Sequence, residues 1–82
     1  MNKHPILGLT QPKCGNLIRD IRLNLGLSQE EFAYLIGVTF STVNRWENGH
    51  AKPSRLAAKN IEKQLLEMGD CGKELLTKHF PN

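Results

Sequence analysis

Ser41, Asn44, Arg45 and Asn48 fall within the eight-residue span STVNRWEN. If the span is helical, at about 100° per residue, these four share one side. Val43 and Trp46 mark the opposite, apolar side, and Phe40 and Glu47 stand on the flanks. A row of Ser, Asn and Arg offers closely spaced donors and acceptors. Arg can meet guanine O6 and N7 with two N–H groups, Asn can meet adenine N6 and N7, and Ser suits either. The same composition also describes an ordinary solvated helix face, and residue types alone allow both. Elsewhere the chain is poor in chemistry. His4, His50 and His79 are scattered, Cys14 and Cys71 form no CxxC pair, the acids are dispersed, and no Gly-rich phosphate loop occurs. An enzyme, a bound metal and a cofactor are therefore not expected.

Several elements must position that row. From Cys14, apolar residues recur at Ile18, Ile21 and Leu25, one stripe of an amphipathic helix that starts between Pro12 and Asn16 and ends at Gly26. Ser28-Gln29-Glu30-Glu31 has the form of a capping box opening a second helix, with Phe32, Ala33, Leu35 and Ile36 on its buried side and Gly37 as its stop. Thr39 is the N-cap candidate of a third helix running to about Asn48. Ser54 caps a fourth, lined by Ala57, Ile61, Leu65 and Met68 up to Gly69. GDCG reads as a turn, and Lys73 to Phe80 as a candidate final helix. No segment alternates with period two, so the expected fold is all-α, a four- to five-helix bundle. Residues 1–11 read as a flexible N-terminal arm, 12–69 as the domain and 70–82 as a tail.

With 82 residues there is room for one small domain. The 11 Lys and Arg outweigh 8 Asp and Glu, a mild excess that permits an anionic partner. Its placement is more telling. Between Thr39 and Asn60 stand Arg45, Lys52, Arg55 and Lys59, with Glu47 as the one acid. Two isolated cysteines suit a reducing compartment, and no signal-peptide or membrane-spanning run is apparent, so a cytoplasmic protein is expected.

The joint between the second and third helices carries a recognisable spacing. Ala33 lets the next helix cross close, Gly37 permits a positive φ in a tight turn, and Val43 plugs the corner. Two helices meeting steeply through a short turn form a helix-turn-helix unit. LSQEEFAYLIGVTFSTVNRWENG (Leu27 to Gly49) resembles the Cro-like, lambda-repressor-like helix-turn-helix family, also called Xre-like. Gln29, Ala33, Gly37, Val43, Trp46, Glu47 and Gly49 fall in register with it, and the likeness reaches back to Ile18 and, more weakly, forward to Leu65.

The resemblance implies that the third helix enters the major groove of double-stranded DNA, with Phe40, Ser41, Asn44 and Arg45 facing bases. Relatives commonly carry a polar residue where Phe40 stands. Phe40 therefore has two readings: packing against the second helix beside Tyr34, or touching a thymine methyl. Gln29, Thr39, Asn48, Lys52 and Arg55 are the implied phosphate contacts. Ala33, Gly37, Val43 and Trp46 are structural. Arg22 and Glu47 correspond to a partly buried salt bridge that ties the first helix to the third. The expected function is transcriptional regulation, as a repressor, by a homodimer on a two-fold site. Leu66, Leu75, Leu76 and Phe80 are candidate dimer residues, Leu75 and Phe80 serving equally well to close the core. The alternative is a protein-interaction module, such as an antitoxin whose main role is to hold a partner protein.

Overall fold

The computed structural model describes residues 5–80. A short 3-10 turn, Pro5–Gly8, precedes five α-helices: α1 Lys13–Asn24, α2 Gln29–Ile36, α3 Phe40–Glu47, α4 Arg55–Glu67 and α5 Asp70–His79. No strand forms among the described residues. The all-α expectation holds.

Local chemistry fixes the helix ends. Ser28 Oγ accepts from Glu31 N while Ser28 N donates to Glu31 Oε1 at 2.8 Å, completing the capping box. Thr39 and Ser54 cap α3 and α4, accepting from Thr42 N and Ala57 N, each at 3.2 Å. Gly37 ends α2 in the left-handed region with φ 90°, a conformation a side chain would strain. The Gly37 and Val38 amides both donate to Ala33 O, at 2.8 and 2.9 Å, turning the chain sharply into α3. Asn60 Nδ2 donates to Ile36 O at 3.1 Å, so α4 satisfies an otherwise open carbonyl at the end of α2.

The core draws on every helix. Cys14, Leu17, Ile18 and Ile21 of α1 meet Phe32, Ala33 and Ile36 of α2 and Val43 and Trp46 of α3. Ala57, Ala58, Ile61 and Leu65 of α4 close it from below, and Leu75 of α5 covers one end. Burial pushes the Cys14 thiol above its ordinary range, against a small opposing pull from Lys52, so Cys14 behaves as a small hydrophobe. Leu35 departs from its expected place: it is exposed, because α2 turns only Phe32, Ala33 and Ile36 inward.

Two further differences concern the ends. The expected flexible arm covers residues 1–11, of which 1–4 lie outside the described residues. The described part is not free. Ile6 is fully buried, Leu9 is 7% exposed, and both belong to the core beside α1 and α4. A five-helix bundle this small needs every apolar side chain it can recruit, and these two outweigh the local lack of periodicity. Ile6→Val should therefore lower stability by about 0.5–1.5 kcal/mol in a urea titration, whereas a loose arm would leave the midpoint unchanged. At the other end, α5 starts at Asp70 rather than Lys73. Met68 and Gly69 make the break, Gly69 with a positive φ, and Asp70 then suits the positive end of the new helix. Asp20 on α1 accepts from Lys78 Nζ at 3.0 Å and pairs with His79 Nε2 at 2.8 Å, pinning the end of α5 to α1. Leu76 and Phe80 pack partly buried against the core, which places Leu75, Leu76 and Phe80 on the core side.

Candidate nucleic-acid interface

The third helix earns its position from its apolar side. Val43 is fully buried and Trp46 is 2% exposed, which leaves the other side of α3 outward. Phe40, Ser41, Arg45 and Asn48 are exposed, and Asn44 is half-buried at the seam with α2. Phe40 is 48% exposed and Tyr34 91% exposed, and neither belongs to the core. Thr39, at the start of the helix, spends its hydroxyl on Thr42 N and lies within hydrogen-bond reach of the Ser41 and Thr42 hydroxyls. Arg45 Nη2 reaches the His50 carbonyl at 3.5 Å, a long contact that leaves the guanidinium mostly solvated. Lys52 and Arg55 are exposed around the turn into α4.

Glu47 is the one acid of the segment and, among the described residues, the one buried charged side chain. Its carboxylate gathers donors from three directions. Arg22 Nε meets Oε2 at 2.7 Å and Arg22 Nη2 meets Oε1 at 3.0 Å, a two-pronged contact. Gln29 Nε2 donates to Oε1 at 3.0 Å, and Arg19 Nε approaches the same oxygen at 3.4 Å. Arg19 Nη2 also reaches the Glu47 carbonyl at 3.3 Å, and Arg22 Nη1 holds Leu27 O at 3.0 Å in the turn before α2. Burial alone would push the Glu47 carboxyl up. The hydrogen bonds from Arg22 and Gln29 and the Arg22 charge outweigh it and hold the carboxyl below its usual range. The hydrogen bonds to Glu47 raise Arg22 in turn, against the opposing effect of burial.

A second set of contacts continues outward. Asn44 Nδ2 donates to Gln29 Oε1 at 3.2 Å, and Asn48 Nδ2 donates to Asn44 Oδ1 at 3.0 Å. Gln29, expected to face a phosphate, is thus held by the protein on both ends of its amide. Two further residues matter here that the sequence did not single out. Arg19 lies one turn before Arg22 on the same side of α1, a spacing that could have indicated a second cation for Glu47. Gln11 has no local signal at all. Its Oε1 accepts from Gly15 N at 2.8 Å, while its Nε2 donates to Ala51 O at 2.6 Å and Trp46 O at 3.2 Å. It locks the start of α1 to the end of α3 and to the turn that carries Lys52.

No helix among the described residues is long and apolar enough to cross a membrane, and no cluster of metal-ligating side chains occurs among them. Comparison with known proteins agrees with the geometry. The helix-turn-helix family model matches residues 18–65, from α1 through most of α4. An uncharacterized HTH-type transcriptional regulator from Methanothermobacter thermautotrophicus is 45% identical over 49 residues, which is 60% of this chain and 71% of that relative. No solved structure matches. The tight α2–α3 turn at Gly37, the Arg22–Glu47 bridge and the span of these matches lead to one conclusion: the chain belongs to the Cro-like, lambda-repressor-like helix-turn-helix family.

Proposed function

We propose that this protein is a sequence-specific DNA-binding transcriptional regulator, acting as a repressor, that lays α3 in the major groove. One observation carries the reading. The only acid between Thr39 and Asn60 is turned inward onto Arg22, so the outward face of α3 presents amide, hydroxyl and guanidinium groups without a negative charge. Such a face suits base edges beneath a phosphate backbone. Arg45 and Asn44 are assigned to bases, Ser41 to either partner, and Phe40 to a thymine methyl, a role supported by its half-exposed ring. Thr39, Asn48, Lys52 and Arg55 border the same face and are assigned to phosphates, and Gln29, at the start of α2, is assigned with them.

One such helix contacts few base pairs, so the regulator works as a symmetric homodimer on a palindromic site. Leu66, 80% exposed on α4, is the candidate contact between copies. Selection from a random DNA library tests the reading directly, with a palindrome as the expected product. Arg45→Ala should then lose about 1–3 kcal/mol at the selected site and relax preference at one base pair. Equal loss on random DNA would reduce Arg45 to a phosphate contact. A library that yields no enriched sequence would favour a module that holds a partner protein instead.

A further inference from the structure

A groove of about 370 Å³ opens where the end of α2 meets the start of α4. Ile36, Val38, Leu56 and Ala57 give it apolar walls, and Ser54 and Asn60 add polar ones. Those two polar side chains are already engaged within the protein: Ser54 Oγ accepts from Ala57 N, and Asn60 Nδ2 donates to Ile36 O. The groove therefore offers an occupant mainly apolar surface. Leu56, one of its walls, is 69% exposed, a large apolar side chain left in water beside a concavity. The volume lies near the lower end of the roughly 300–1,000 Å³ of small-molecule sites, and suits one or two side chains rather than a cofactor.

The charge around the groove has one sign. From Phe32 to Ile61 the chain carries a single acid, Glu47, which is buried against Arg22. Arg55, Lys59 and Lys63 are exposed on α4, the first beside Leu56 and the others one and two turns further along. Glu62 is turned the other way, accepting from Ile6 N, and Glu67 stands about 16 Å along the helix from Leu56. An occupant must then be apolar where it enters and negative where it meets the rim. A second copy of this chain fits poorly, because it would set Arg55, Lys59 and Lys63 against their own kind. Leu66, assigned to the contact between copies, points about 80° away around α4.

We propose that the groove docks a segment of a partner protein, one or two apolar side chains flanked by carboxylates, and that its occupation releases DNA. The release, though not the docking, rests on the DNA-binding reading above. Val38 lines the groove and is joined directly to Thr39, as Ser54 is to Arg55. Thr39 and Arg55 are both assigned to phosphates. A carboxylate paired with Arg55 takes the place of a phosphate oxygen. A segment lying across Val38 also crowds the backbone that DNA must approach at Thr39. One guanidinium thus serves either partner, and the two cannot be held together.

The probe is an octapeptide with a central Leu-Phe pair and three Glu on each side, titrated by NMR into the isotopically labelled full chain. Two controls replace its Glu residues by Lys and its Leu-Phe pair by Ala-Ala. The Glu peptide should shift the backbone amide signals of Val38, Ala57 and Asn60, and both controls should bind at least about tenfold more weakly. Leu56→Ala, at an exposed position outside the core, should weaken the Glu peptide about tenfold. Lys59→Ala should weaken it less and flatten its salt dependence. Millimolar peptide that leaves those signals unmoved, or equal binding of the Lys control, would overturn the proposal. So would shifts centred on Ser41, Asn44 and Arg45, which would make the peptide a mimic of DNA on α3. In a second arm the Glu peptide should displace the duplex selected by the unsubstituted protein, with Leu56→Ala resisting displacement. A complex holding protein, peptide and duplex together would overturn the release. Groove shifts in a chain that selects no DNA would uphold the docking site and remove the DNA-binding reading. A selected duplex beside an unresponsive groove would do the reverse.

Discussion

Glu47→Ala costs the fold about 3–5 kcal/mol, the range for breaking a buried ion pair by removing one partner. The Glu47 side chain is fully buried and that of Arg22 is 13% exposed, so the guanidinium left behind cannot recover its water. Arg19 contributes little to the loss, because its side chain is 44% exposed and can rehydrate. Glu47→Gln keeps the shape but brings an NH2 group against Arg22 or Gln29, so it should be destabilising in the same sense. The instructive variant is Arg22→Ala with Glu47→Ala. Removing both charges should cost less than the sum of the single changes, since neither is then stranded. Urea titrations of the four proteins decide it, and strict additivity would mean that the bridge contributes nothing of its own.

The same carboxylate sets the acid limit of the fold. Held below the ordinary glutamate value of 4.5, Glu47 binds fewer protons when folded than when unfolded. Its contribution is therefore complete above about pH 4.5 and is lost as pH falls through its lower folded value. Asp20 works in the same direction below the ordinary aspartate value of 3.8: its burial opposes the shift, and the His79 and Lys78 contacts outweigh it. Glu47→Ala should therefore flatten the fall of stability below about pH 4.5 without removing it, Asp20 remaining.

Much of this arrangement was legible in the chain because it rests on neighbours in sequence. The capping box at Ser28, the Thr39 and Ser54 caps, and the stop at Gly37 are each written within four residues, and each stands where expected. The inward side of α3 followed from Val43 and Trp46 at helical spacing. What could not be read depends on contacts far apart along the chain. Ile6 carries no periodic partner, and only the gap beside α4 makes it core. Gln29 looked like a helix-start residue with a free amide. Its engagement by Glu47 and Asn44 depends on how closely α3 crosses α2, which no local pattern specifies. Phe40 illustrates the limit from the other side. Its apolar character suggests burial as readily as contact, and a half-exposed ring is compatible with both.

Gly15→Val should cost about 3 kcal/mol, the upper end of what overpacking a close-packed contact removes. In the sequence Gly15 is only a weak helix former near the start of α1. In the fold it is the point where α1 passes over the backbone of α3. A Cβ there would overlap the Trp46 carbonyl oxygen and lie 3.2 Å from Glu47 Cα, and both obstacles are backbone. Trp46 cannot retreat, because its ring is buried and Gln11 Nε2 holds the same carbonyl at 3.2 Å. The helices must part instead, and the first residue to move is Glu47, drawn away from Arg19 and Arg22. Gly15→Ala offers a sharper test of the sign. Alanine favours a helix interior over glycine by about 1 kcal/mol, so a spacious crossing would make the substitution stabilising. A net loss in Gly15→Ala, beside a near-neutral Asn16→Ala at the exposed neighbouring position, would establish that the α1–α3 crossing is set by the absence of a side chain. Added to Glu47→Ala, the Gly15→Val loss should be less than additive, since the bridge it disturbs is already gone.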